Sequence, residues 1–164
     1  MAENLDNQQN EFDLDQKVNV KNIAGWEVGF NRIETNGSVR IAADGSTKLS
    51  RSEIIAQIHN GNTLFNGVDG KGSHATLYID DAATRREVGF DSEDGAVHQL
   101  VFTDEAVKNL FTKNSSQSAF QKSVTNLIRT RAEKYAIIQS IIRQKINDYS
   151  RIRFVEDYTG FKVQ

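Results

Sequence analysis

Apolar residues recur along the chain in two different rhythms. From Val18 onward, Val18, Val20 and Ile23, then Trp26, Val28 and Phe30, fall close to every second position, as in a strand that buries one face. Asn36-Gly37 follows, a dipeptide suited to the positive φ angles of a two-residue hairpin turn, and Val39 and Ile41 resume the alternation. A hairpin is therefore predicted. Beyond the Asp44-Gly45 turn, Ser50-Arg51-Ser52-Glu53 reads as a capping box: Ser50 caps free amides of a new helix and Glu53 reaches back to it. Ile54, Ile55 and Ile58, with Leu64, line one face of that helix, and Asn60-Gly61 suits a left-handed C-cap. A glycine-dense loop from Gly67 to Ser73 then leads into a strand predicted over His74 to Ile79 and a turn at Asp80-Asp81.

A short echo follows. Glu27-Val28-Gly29-Phe30 recurs as Glu87-Val88-Gly89-Phe90, each trailed by a turn dipeptide (Asn36-Gly37, Asp94-Gly95), a second apolar strand and a capped helix starting near Ser50 or Thr103. The repetition is read either as a duplicated hairpin-plus-helix unit or as a chance match of four residues. In the last third the rhythm changes: Phe120, Val124, Leu127 and Ile128, then Tyr135, Ile138, Ile142, Ile146 and Tyr149, are spaced by three and four, the signature of a helix stripe. Neither Gly nor Pro interrupts residues 115–158, which allows one long helix or two broken near Thr130, ended by a glycine cap at Gly160. The fold class is α+β: residues 1–16 a flexible acidic arm, 17–112 a mainly β region with a mostly antiparallel sheet and short helices, and 113–164 a basic helical segment packed on the same domain.

Composition adds charge polarity to this outline. The net charge is only -2, but residues 1–16 carry Glu3, Asp6, Glu11, Asp13 and Asp15 with no Lys or Arg, while nine basic residues face two acids between Lys113 and Arg153. With Leu5, Phe12 and Leu14 as its only apolar residues after Ala2, the arm has too little to bury to offset the entropy of ordering it alone. The absence of cysteine excludes disulfides, thiolate metal sites and a cysteine nucleophile. No basic, apolar leader opens the chain and no apolar run is long enough to span a bilayer, so a cytoplasmic or virion-borne protein is expected.

Candidate chemistry is sparse. The loop from Gly67 to Ser73 departs from a phosphate-binding P-loop, because Phe65 stands where its first glycine belongs and Gly72 follows Lys71 in place of a hydroxyl residue. Its exposed residues Asp69, Lys71, Ser73 and His74 are read instead as a partner-contact loop. His59, His74 and His98 have no paired-ligand spacing, and no serine sits in a nucleophile motif. No catalytic, metal or cofactor site is implied, and no small-molecule substrate is identified. The strongest hint is the basic region: Arg129, Arg131, Lys134, Arg143, Lys145, Arg151 and Arg153 are candidates for phosphate contacts, with Tyr135, Tyr149 and Phe154 as stacking faces. The competing reading is that long basic side chains only solubilise a helix.

Three segments carry a resemblance: Glu53-Ile54-Ile55-Ala56-Gln57-Ile58-His59-Asn60-Gly61-Asn62, Asp69-Gly70-Lys71-Gly72-Ser73-His74-Ala75, and Ile152-Arg153-Phe154-Val155-Glu156-Asp157-Tyr158-Thr159-Gly160. They resemble pieces of conserved, largely uncharacterised proteins of tailed bacteriophages. The resemblance attaches no named activity. It implies a phage context, in which a chain of this size is expected to be a virion component or an assembly factor. The resulting expectation is a non-enzymatic interaction protein that contacts a protein partner or a second copy of itself, with nucleic-acid binding through the basic helices as the alternative and no membrane role.

Overall fold

The structure, a computed structural model, describes residues 12–94 and 102–163. Five strands lie in the first half: β1 (Lys17–Asn22), β2 (Val28–Asn31), β3 (Ser38–Ile41), β4 (Ser46–Ser50) and β5 (Leu77–Asp80). Three helices are interleaved with them, α1 (Arg51–His59), α2 (Thr63–Asn66) and α3 (Ala82–Glu87), and four follow: α4 (Asp104–Lys113), α5 (Gln117–Leu127), α6 (Arg131–Gln144) and α7 (Tyr149–Thr159). This is the expected α+β arrangement of antiparallel sheets with short helices and a helical C-terminal part. Among the described residues, no helix is long and apolar enough to cross a membrane.

Strand β1 is central, antiparallel to β4 on one side and to β5 on the other. Its alternation sends Val18 and Val20 to one face, where Val18 sits opposite Leu49 and Val20 opposite Ile79. These side chains, with Ile54 of α1, Phe65 of α2 and Val28, Val39 and Ile41 of the hairpin, form the first core. The hairpin of β2 and β3 is present with Val28 opposite Ile41, but Asn36-Gly37 is not its two-residue turn. Residues 32–37 make a longer loop closed by the Arg32 amide on the Gly37 carbonyl, at 2.9 Å. The cause is tertiary: the buried Glu53 carboxylate accepts from the amides of Ile33 (3.0 Å) and Glu34 (3.3 Å) and pins the loop to α1. The predicted capping box is accordingly half made. Ser50 Oγ accepts from the Glu53 amide at 3.2 Å, while the Glu53 side chain turns to the hairpin loop.

The described part of the acidic arm is docked. The carbonyls of Leu14 and Gln16 accept from the amides of Ser52 (3.0 Å) and Arg51 (2.9 Å), two first-turn donors of α1 that have no partner inside the helix. The Arg51 guanidinium lies 4.5 Å from the Phe12 ring centroid. Residues 12–16 therefore complete a helix terminus on the sheet side, which the low apolar content of the arm did not suggest.

Three further expectations change. Strand β5 starts at Leu77 because His74 has a left-handed backbone (φ 58°). Asp81 is the N-cap of α3, accepting from the Thr84 amide at 3.1 Å. The second Glu-Val-Gly-Phe is a helix C-terminus: Glu87 ends α3, Val88 caps it and Gly89 takes φ 81°. The first copy runs into β2, so the two segments do not share a structure. The apolar strand expected after Asp94-Gly95, and His98, lie outside the described residues.

The capped helix expected near Thr103 is α4, with the Thr103 hydroxyl accepting from the Ala106 amide at 3.0 Å. Beyond Ser115 three helices replace the expected one or two. The first break, at residues 128–130, falls where Thr130 marked it. The second is set by Lys145 in a left-handed C-cap (φ 53°) and by Asp148 capping α7. On α6 the buried face runs through Ala132, Glu133, Ala136, Ile137, Ile138, Ser140 and Ile141. Of the predicted Tyr135–Ile138–Ile142 line, Ile138 is buried as expected, while Tyr135 is half-buried and Ile142 is 43% exposed, so the stripe is centred on Ile137 and Ile141. This face, with Val107, Leu110, Phe120, Val124 and Val155, makes a second core, which Ile23 and Ala24 join from the end of β1.

Asp81 also ties the start of α3 to α1, since its carboxylate accepts from the Arg51 guanidinium at 3.0 Å. Burial alone would raise its carboxyl, but the hydrogen bonds from Arg51 and Thr84 together hold it below the ordinary aspartate range. Asp81→Ala is expected to lower unfolding stability by about 1–3 kcal/mol in urea denaturation. Because the folded carboxyl is held low, the wild-type advantage is full above the usual aspartate value and shrinks as pH falls through the lowered one; the variant lacks that part of the acid dependence.

Candidate cleft between the sheet and helix α6

The alternation that buries Val18 and Val20 turns Asn19 and Lys21 to the other face of the sheet. There Asn19 stands opposite Lys48 and Asp80, and Lys21 opposite Ser46 and Tyr78. Helix α6 and the start of α4 lie across this polar face and leave a cleft of about 380 Å³. Its sheet wall is Asn19, Lys21, Ser46, Tyr78 and Asp80; its helical wall is Tyr135, Ala136, Gln139 and Arg143, with Ile23 and Phe102 adding apolar surface. Tyr135, Gln139 and Arg143 are spaced by four, so one stripe of α6 supplies them. Gly25 lets the stripe approach, because a Cβ there would overlap the Tyr135 ring, which also makes an edge contact with Phe161 at 5.7 Å.

A chain of alternating charges runs along the cleft. Lys21 Nζ binds Asp44 Oδ1 at 3.1 Å, Asp44 Oδ2 lies 3.5 Å from Arg143 Nη1, and Arg143 Nη2 donates to Asp104 Oδ1 at 2.7 Å. Ser140 Oγ adds a 2.7 Å hydrogen bond to Asp104. The Arg143 guanidinium, more than the opposing burial, holds the Asp104 carboxyl below its usual range, and Asp104 in turn raises Arg143. Burial raises the Tyr78 hydroxyl, against the pull of Arg85. Four of the cleft's charges are thus neutralised within the fold. By contrast, Asn19, Ser46, Tyr78, Asp80, Tyr135 and Gln139 have no side-chain hydrogen bond among the described residues.

A second polar feature lies behind α6. His74 Nδ1 is 2.9 Å from both carboxylate oxygens of Glu133, and both side chains are buried. Glu133 Oε1 also accepts from the amides of Arg129 (3.0 Å) and Thr130 (3.1 Å), and Thr130 Oγ1 accepts from the Glu133 amide, so the pair is built into a complete capping box. The tautomer with hydrogen on Nδ1 donates to the carboxylate and leaves Nε2 buried without a partner among the described residues.

The expected partner-contact loop divides at Gly72. Asp69 and Lys71 are exposed, whereas Ser73 and His74 are buried and unavailable to a partner. Asp69 Oδ1 accepts from the amides of Lys71 (2.8 Å) and Ser73 (3.1 Å), and Gly67, at φ 70°, lies where a Cβ would overlap the Ser73 carbonyl. The glycines serve loop closure.

The basic residues sort into two groups. Arg143 lies in the cleft network, and Arg151 donates to the carbonyls of Phe111 (3.0 Å) and Asn114 (2.8 Å), stitching α7 to α4. Arg129, Arg131, Lys134, Lys145 and Arg153 make no ion pair among the described residues. With breaks at residues 128–130 and 145–148, these residues do not form one stripe on one helix. Sequence reading missed Lys21, Asp44, Tyr78, Asp104 and Gln139. It also missed Glu133, although Thr130 three residues earlier is the same capping signature noted at Ser50. No protein-family model matches the chain, and no curated protein or solved structure matches it.

Glu133→Ala keeps the Thr130 cap on the amide of residue 133 but removes the reciprocal half of the box, leaving His74 and the Arg129 and Thr130 amides without their acceptor. A loss of about 2–4 kcal/mol is expected by chemical denaturation, from orphaned buried donors at about 1–3 kcal/mol each, together with shifted backbone resonances in both 67–76 and 128–134.

Proposed function

We propose that the protein is a non-enzymatic interaction protein that docks an extended segment of a partner protein in the cleft between the sheet and α6. The observation that carries this reading is the set of unpaired polar side chains converging on a concave surface beside Ile23, Phe102 and two tyrosine rings. The cleft falls within the size range of recognition pockets, roughly 300–1,000 Å³, and combines apolar walls with a few placed hydrogen-bonding groups. Amides and hydroxyls of this kind match the N–H and C=O groups of a peptide backbone. The competing reading is a water-filled groove, which needs no such convergence.

The chemistry favours binding over turnover. Asp44 and Asp104 are committed to cations, and His74 is sealed behind α6 away from the cleft. A bacteriophage assembly setting remains the one that the sequence segments suggest, and the partner would then be another assembly component or a second copy of this chain.

Selection of peptides from a display library against the purified protein is the direct test. Selected peptides are expected to shift the amide resonances of Asn19, Tyr78, Tyr135 and Gln139, and Gln139→Trp, which fills the cleft from a partly exposed position, should weaken them at least tenfold, about 1.4 kcal/mol. Peptides that bind wild type and the filled variant alike would place recognition elsewhere and overturn the reading.

A further inference from the structure

We propose that the surface at the N-terminal end of α6, built from Trp26, Arg131, Lys134 and Tyr158, binds single-stranded nucleic acid. It is separate from the cleft reading and stands on different residues. Trp26, the chain's one tryptophan, is 40% exposed. Its backbone is fixed, since its carbonyl accepts from Asn22 Nδ2 at 2.9 Å. The Arg131 guanidinium lies 5.5 Å from the Trp26 ring centroid. One turn further along α6, Lys134 Nζ lies 5.2 Å from the Tyr158 ring centroid. Tyr158 is held in place by its hydroxyl on the Ile128 carbonyl, at 2.6 Å, and by stacking on Phe154 at 6.1 Å.

Among the described cations that lie over aromatic rings, these two are set apart by the absence of an acid. Arg51, Arg85, Arg143 and Arg151 each have an aspartate within ion-pair distance. Arg131 and Lys134 have none among the described residues, and neighbouring Arg129 reaches only the Asn126 side chain, at 3.3 Å. Nearby acids are turned elsewhere: Glu133 to His74, Glu27 to Arg40, and Glu156 to the Val163 amide. Asp157, beside Tyr158 on α7, is exposed, and successive helix residues point apart.

Cations resting on aromatic faces without counter-charges offer two contacts together, a phosphate site and a stacking platform. That pairing is the general mode of single-strand recognition, in which every base has a face to stack and sequence matters little. A duplex hides its base faces, and an acidic protein segment would use the charges but leave the rings idle.

Trp26 is its own reporter. Titration with a short oligothymidylate is expected to quench its fluorescence, with a log-log salt slope near -2 from about three phosphate contacts at roughly -0.7 each on a single strand. The double variant Arg131→Ala, Lys134→Ala should lose binding, while Lys145→Ala, Arg153→Ala, which removes cations outside the patch, should retain it. Trp26→Ala, followed by anisotropy of a labelled oligonucleotide, should weaken affinity by about five- to 150-fold, the stacking contribution of one base. Far-UV circular dichroism confirms that each variant is folded, and Trp26→Phe, which keeps an aromatic face, should restore part of the binding. Absence of quenching at low salt, equal loss in the control pair, equal affinity for a duplex, or equal quenching by polyglutamate would each overturn the proposal, the last in favour of an acidic protein partner.

Discussion

The buried Glu133 carboxylate holds the molecule together, because it gathers donors from two parts of the chain that have separate cores. One oxygen cluster receives the His74 ring from the loop ahead of β5 and the amides of Arg129 and Thr130 from the turn ahead of α6. A polar group so deep is tolerable only when it is hydrogen-bonded, and three donors serve it here. The consequence is a fixed rotation of α6. With Glu133 inward, Ile137 and Ile141 follow on the same stripe into the second core, Tyr135, Gln139 and Arg143 look onto the sheet, and Arg131 and Lys134 emerge beside Trp26 and Tyr158. One side chain thus phases both proposed binding surfaces.

His74 shows what that arrangement costs locally. Its backbone is left-handed, which costs a non-glycine residue about 1 kcal/mol, and its Nε2 finds no partner among the described residues. Both are sustained because the loop is clamped from either end: Asp69 collects two amides of the loop, and Gly67 admits the Ser73 carbonyl at a distance no Cβ would permit. The glycine-dense segment is therefore a device for delivering an imidazole into the interior.

Much of this was legible in local pattern, and what was not has a common physical origin. Alternation through Val18 and Val20, the Ser50 cap and the glycine after Asn60 act within a few residues, and the structure follows them. The two-residue turn at Asn36-Gly37 and the reciprocal half of the Ser50 box failed for one reason: Glu53 found amides in the hairpin loop, twenty residues away in sequence for Ile33. The second Glu-Val-Gly-Phe failed because glycine serves a strand and a left-handed helix cap equally well, and only the cap of Asp81 upstream decides between them. Charge was the least legible property. Arg143 and Arg153 have the same side chain, and nothing in their spacing says that one is neutralised by Asp104 and the other is left to solvent.

The sheet face behind the cleft was nonetheless written in β1. A period-two strand whose successive positions are Val, Asn, Val and Lys must present amide and ammonium on the face opposite its core. A three-stranded sheet with one apolar face leaves the other to water unless a second layer covers it. Here the second layer arrives on a helix that is itself amphipathic toward another core, so it can cover the polar face only with the flank of its buried stripe. That flank carries Tyr135, Gln139 and Arg143, large polar side chains that hold the helix off the sheet. The two layers, each with its own core, meet at the buried Glu133 carboxylate, at Ile23 and Ala24 and through the Asp44–Arg143 pair, and the space left between them is the cleft.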